Sequence, residues 1–289
     1  MLLRGGHSGT PPEVGAASVW HLPSARRVAK HSVRKWRETM SLEGKTVLIT
    51  GAGTGIGAAA AIDVAAAGAS TILVGRRESV LDATAGTIRE RGGDALVLPA
   101  DLTRPGDVDD AAATVLERFG GLDGLVNNAG VGRFAPIHRA DPSDLQFMFD
   151  LHVRAPVQLI QRFVATLRER EGAIVNVTSV AGQLAAPNRS FYGATKAAIT
   201  HLTRSLAKEL APAVRVNAIL PGPVDTPIYD ELDMSSEQMA TFRAELEAAT
   251  PIGRFGRSEE VAPWVTRLLD DSAGWVTGVQ LPIDGGRCV

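Results

Sequence analysis

The sequence predicts an α/β fold, a doubly wound parallel sheet held between two layers of helices. Three observations carry that expectation. Short runs rich in Val, Ile and Leu alternate with longer Ala-rich stretches from Lys45 onward. Those runs are continuously apolar rather than alternating in polarity, as in strands covered on both faces. A glycine-rich turn follows the first run directly.

Taken in order, strands are predicted at 46–50 ("TVLIT"), 70–75 ("STILVG"), 95–100 ("ALVLPA"), 124–128 ("GLVNN"), 173–179 ("AIVNVTS") and 214–221 ("VRVNAILP"). Helices are predicted at 55–67, 79–91, 105–119, 142–170 and 192–210, the fourth interrupted near Pro156. Strand and helix alternating at this spacing give parallel pairing with right-handed crossovers and three layers, α/β/α. No linker or repeat divides residues 41–289, which are read as one domain. The stretch 227–256 reads as a helical lid of mixed polarity, and it should flank a pocket together with 132–144.

Composition bounds the function. With 289 residues, 45% hydrophobic and 21% charged, the chain has the make-up of an ordinary globular protein with one substantial core. The net charge of -2 is unevenly spread: residues 1–40 hold seven basic residues (Arg4, Arg26, Arg27, Lys30, Arg34, Lys35, Arg37) against Glu13 and Glu38, so the segment is +5 and the other 249 residues are -7. A mildly acidic body gives no reason to expect a nucleic-acid partner. No apolar run reaches the roughly 18 to 20 residues that span a bilayer. The single cysteine, Cys288, allows no intramolecular disulfide and supports no metal cluster. A cytoplasmic protein with neither membrane nor metal partner is therefore expected. Residues 1–40 lack a sustained apolar period and are expected to be a disordered basic extension. The same segment also fits a basic amphipathic helix or a transit peptide, and Met40 fits the start of the natural protein.

The turn "TGAGTGIGAAAA", Thr50 to Ala61, places glycines at 51, 53, 55 and 57 between a predicted strand and a predicted helix. Such a Rossmann-like turn needs residues without side chains: the strand must reverse sharply, the backbone must approach a pyrophosphate, and the helix must pack against the sheet. The helix amides then face the anion. A dinucleotide site follows. An NAD-selective site places Asp or Glu at the end of the second strand, where this chain has Gly75 followed by Arg76 and Arg77. Without a carboxylate a 2′-phosphate is not repelled, and a guanidinium binds it through two hydrogen bonds. The preferred cofactor is therefore NADP(H), with NAD(H) possible, since Thr54 adds no second charge.

Further segments follow in a fixed order: "ADL" at 100–102, "NNAG" at 127–130, "VTSVAG" at 177–182, "YGATK" at 192–196, "PGPVDTP" at 221–227 and "GVQLPIDGG" at 278–286. With the glycine turn, this set resembles the short-chain dehydrogenase/reductase family across residues 41–289. The resemblance implies an oxidoreductase acting on a small carbonyl or alcohol substrate, and a homo-oligomer. It assigns Tyr192 as the proton donor or acceptor, Lys196 as the group lowering its pKa and holding the nicotinamide ribose, and Ser179, thirteen residues before Tyr192, as the group binding the reacting oxygen. An ammonium about 5 to 6 Å from a phenol at an effective dielectric of about 20 supplies roughly 3 kcal/mol toward that shift. Beyond the glycines, the resemblance implies cofactor contacts from Thr54, Ile56, Asp101, Leu102, Asn128, Ala129, Gly130, Tyr192, Lys196, Pro221, Gly222, Val224 and Thr226. For Asp101 a helix cap looks identical in sequence. One departure stands out: where the family carries Asn in a segment like "DLNV", this chain reads "DLHV". His152 at that place either joins a proton relay, adding a pKa between 6 and 8 to the rate profile, or packs in its helix. A non-catalytic dinucleotide sensor is the rival from another class.

Overall fold

The computed structural model describes residues 40–230, 232 and 234–289. The expectation of a disordered extension lies, Met40 apart, outside the described residues.

Among the described residues seven strands form one parallel sheet: β1 Thr46–Thr50, β2 Ser70–Gly75, β3 Asp94–Pro99, β4 Gly124–Asn127, β5 Ala173–Val177, β6 Arg215–Pro221 and β7 Gln280–Ile283, in the order β3-β2-β1-β4-β5-β6-β7. The helices are α1 Gly55–Ala66, α2 Glu78–Glu90, α3 Pro105–Phe119, α4 Pro142–Phe149, α5 Ala155–Glu169, α6 Ser190–Leu210, α7 Ser236–Ala248 and α8 Ser258–Leu269.

The period of two along each strand sorts the core into two layers. Val47 and Ile49 of β1 join α1, α2 and α8 on one face of the sheet, while Leu48 between them joins α3, α5 and α6 on the other. Strand β5 divides likewise, Val175 to the first face and Ile174 to the second. All five residues of both strands are buried, which is why the sequence runs are apolar without alternation. On α6 the buried positions Tyr192, Thr195, Lys196, Ile199, Thr200, Thr203, Ala207 and Leu210 recur every three or four residues. The lysine thus lies on the core-facing stripe of its helix.

Three elements differ from expectation. Strand β7 was not foreseen: it is short, carries Pro282 and lies at the sheet edge, half-buried, so its sequence lacks the apolar run of the central strands. Helix α8 was also unforeseen, because Pro263 lies inside it and a proline ordinarily ends such a reading. The interruption expected near Pro156 is a π-helical segment, Asp150–Arg154, in which the Ala155 N–H reaches back five residues to the Asp150 carbonyl. Pro156 has no N–H to give the carbonyl of His152 four residues earlier, and its ring crowds that carbonyl. Widening the preceding turn relieves both.

Candidate active site

Leaving β1 the chain turns to β2 on one side, while β4 pairs on the other, so the switch point of this sheet lies between β1 and β4. At the carboxyl ends of the strands opens a cavity of about 490 Å³. Crevices of this kind are where doubly wound sheets bind ligands.

One end of the cavity is almost bare of side chains. Gly51 turns the chain at φ +64, a left-handed conformation. Gly57 is required by packing: a Cβ there would sit 2.1 Å from the Gly51 oxygen and 2.3 Å from Asn128 Nδ2. It does not line the cavity, whereas Gly51, Gly53, Thr54, Gly55 and Ile56 do. The turn is clamped from β4: Asn128 Nδ2 donates to the Thr50 carbonyl at 2.9 Å, and Thr50 Oγ1 accepts the N–H groups of Asn128 and Ala129 at 2.9 and 3.0 Å. Arg76 and Arg77 line the same end with exposed side chains. Leu102 and Asp101 are there too, but one oxygen of the Asp101 carboxylate accepts from the N–H and hydroxyl of Thr103 at 3.0 and 2.7 Å, so it also holds its own turn. Ala129, Gly130, Pro221, Gly222, Val224 and Thr226 complete the wall. A glycine cradle of free backbone with guanidinium groups beside it fits the pyrophosphate and 2′-phosphate of a dinucleotide.

The other end holds the reactive side chains. Ser179 leaves β5 two residues after Val177, its Oγ accepting the Ala181 N–H at 3.1 Å, and it shares a hydrogen bond with the Tyr192 phenol. Lys196 Nζ lies 5.7 Å from the centre of the Tyr192 ring and donates to the Val177 carbonyl at 3.2 Å. Burial pushes Tyr192 above its ordinary 10, opposed by the Ser179 hydrogen bond and the charge of Arg189, and burial pulls Lys196 down to about 8. The reason is dielectric: a site dry enough to strengthen their attraction penalises the phenolate and the ammonium alike.

His152 does not line the cavity but stands behind it. Its Nε2 accepts the Val131 N–H at 3.1 Å, which leaves the ring proton on Nδ1, 2.9 Å from Thr195 Oγ1; Thr195 in turn donates to the Tyr192 carbonyl at 2.9 Å. This chain ties the segment after β4 to the first turns of α6 through a neutral imidazole. Burial, with the charge of Lys196, holds His152 well below its ordinary 6.5. Burial and the acceptor role of Nε2 both work against the His152 titration between 6 and 8 that the sequence led us to expect.

Thr50, Thr195, Arg189 and Arg287 were not singled out by the sequence reading, and Tyr229 was anticipated only as part of the stretch expected to flank the pocket. Both tyrosines of the chain, Tyr192 and Tyr229, line the cavity. Tyr229 packs edge-on against Phe255 at 5.4 Å, and burial raises its phenol to about 12. The spacing of Tyr229 gave no signal, since no regular element surrounds the short turn Pro227–Tyr229.

Fold and site together define a class, a Rossmann-like α/β protein with its cavity at the switch point. A family model described as Enoyl-(Acyl carrier protein) reductase matches residues 51–287. The chain is 35% identical over 265 residues to 3-oxoacyl-[acyl-carrier-protein] reductase FabG of Thermotoga maritima, covering 86% of this chain and 100% of that protein. It is 35% identical over 247 residues to 2-(S)-hydroxypropyl-CoM dehydrogenase 3 of Xanthobacter autotrophicus, covering 85% and 97%. L-sorbose reductase from Gluconobacter frateurii, solved with NADPH and L-sorbose, superposes with a TM-score of 0.80 at 32% identity, covering 86% and 98%. The chain belongs to the short-chain dehydrogenase/reductase family, whose members are nicotinamide-dependent oxidoreductases.

Proposed function

We propose that this protein transfers hydride between NADP(H) and a carbonyl compound or its alcohol, and works as a reductase. A single observation carries the reading: one cavity has Ser179, Tyr192 and Lys196 at one end and the glycine turn with Arg76 and Arg77 at the other. The relatives named above are reductases and a dehydrogenase, and one was solved with NADPH.

The glycine turn and the start of α1 would hold the pyrophosphate, Arg76 and Arg77 the 2′-phosphate, and Lys196 the ribose. Bound there, the nicotinamide supplies or takes the hydride. Tyr192 gives its phenolic proton to the carbonyl oxygen as negative charge develops, and Ser179 donates a hydrogen bond to that oxygen. A phenol with an ordinary pKa near 10, raised further by burial, is protonated at neutral pH, the state a proton donor needs. Lys196, an ammonium below about pH 8, stabilises the phenolate left behind. His152 positions α6 without changing its own charge.

Binding measurements test the cofactor reading. NADPH should bind about 10- to 100-fold tighter than NADH, the worth of one or two charge-assisted hydrogen bonds. Replacing Arg76 and Arg77 together by Ala should erase the difference. Equal or tighter NADH binding by the unmodified protein overturns the assignment.

A further inference from the structure

Arg189 lies three residues before Tyr192, at the cap of α6, half-buried and lining the cavity. Its guanidinium carbon sits 5.3 Å from the centre of the Phe134 ring and 4.8 Å from that of Phe242. Rings satisfy the faces of a guanidinium. They leave its five N–H donors, which all point outward in the plane. Among the described residues, no acceptor takes a hydrogen bond from the Arg189 side chain and no carboxylate pairs with it. Other half-buried arginines are committed: Arg215 donates to the carbonyls of Leu268, Leu269 and Asp270, and Arg170 to Asp123 and two carbonyls.

A second cation converges on the same place. Arg287 lines the cavity from beyond β7 and donates to the Leu246 carbonyl at 3.2 Å, again without a carboxylate partner among the described residues. Its charge reaches Arg189, and of the described carboxylates only Glu245 opposes it, through space and without contact. Two like charges gathered in a half-buried, aromatic-lined space repel one another, and a bound anion reverses the sign of that interaction. Phe134, Tyr229 and Leu246 supply apolar surface beside them for a short carbon skeleton.

From this juxtaposition we infer that the carbonyl substrate carries a terminal oxyanion, and that Arg189, with Arg287 beside it, binds that group while Tyr192 meets the carbonyl. The inference rests on the reductase reading above and adds the substrate class: a short oxo acid or a ketone bearing a phosphate-like group, rather than a neutral ketone or sugar. Arg189 is the specificity-determining residue. Its guanidinium shape matches a carboxylate or phosphate edge through two parallel hydrogen bonds.

The test measures NADPH-dependent kcat/KM for oxo acids of four to six carbons, for the matching oxo phosphonates, and for the neutral methyl esters of both. The unmodified protein should prefer an anion over its ester by about 10²-fold, as expected for a charge-assisted pair out of bulk water. The carboxylate and phosphonate arms decide which oxyanion is meant. R189Q should lower the anion-to-ester ratio by most of that factor, chiefly through KM, and R287Q should lower it less. An unmodified protein that turns over esters as well as acids overturns the inference and leaves the reductase standing, as does an R189Q protein in which both fall by the same factor. Failure of every carbonyl compound to oxidise NADPH overturns the reductase reading and this inference with it. The preference of the unmodified protein needs no variant to fold.

Discussion

Two buried bases, Lys196 and His152, stand close to one phenol, and burial works against the charge of each. For Lys196 the folded value is about 8 against an ordinary 10.5. Below pH 8 the ammonium is charged in both folded and unfolded chains, so the fold bears the whole penalty, about 3 kcal/mol at roughly 1.4 kcal/mol per unit. The penalty disappears as pH rises from 8 to 10.5. Lys196→Met should therefore raise stability at pH 7 by up to about 3 kcal/mol, less the lost bond to Val177, and lose the rise above pH 8, while turnover disappears. Urea melts at pH 7 and 9.5 check this, and a variant less stable than the parent at pH 7 contradicts it. His152 acts in the opposite pH range: held below 6.5, it carries no penalty at neutral pH and destabilises as pH falls past 6.5. His152→Ala should lose that acid sensitivity, cost about 1 to 3 kcal/mol by stranding the Val131 N–H, and leave no step missing from the rate profile between pH 6 and 8. A step present in the parent and absent in the variant would return His152 to the chemistry. At this scale Ser179, Tyr192 and Lys196 were readable because their spacing is a motif. Arg189 was not, since an arginine in "APNRS" looks solvated until two rings from distant segments close on it.

Among the elements, the strand–turn–helix unit β1–α1 shapes the glycine-lined end of the cavity. Its tightest point is Gly57, where any side chain meets the Gly51 oxygen and the Asn128 amide that clamps the turn. Gly57→Ala should cost about 1 to 3 kcal/mol, as overpacking does, and weaken NADPH binding by spreading the turn. Thermal melting and a binding titration check both, and unchanged affinity would show that the turn does not shape the phosphate site. The central strands and the helices α1 to α3 were legible because each buries an unbroken face. Strand β7 and helix α8 were hidden by prolines whose harm is absorbed, at an edge in Pro282 and inside a packed helix in Pro263. The π-helical segment was half legible: Pro156 announced a break, but only the fold shows it displaced toward His152.

For the whole molecule, a sheet covered by helices on both faces fixes where the carboxyl ends of β1 to β6 meet, and the cavity follows from that meeting. None of the helices in the described residues is long and apolar enough to cross a membrane. Fold class and family were written in the order of the motifs, because backbone turns and buried runs leave local traces. Charge states were not, since they depend on how dry a site becomes once every layer is in place. In the proposed nicotinamide-dependent reduction the Tyr192 phenol delivers the proton. The most direct measurement of that role is single-turnover oxidation of NADPH by Tyr192→Phe with an accepted carbonyl substrate, alongside the NADPH dissociation constant of the same variant. The expected result is a rate lower by about 10³-fold with cofactor affinity within a few-fold of the parent; a Phe variant that reduces substrate at the parental rate contradicts it.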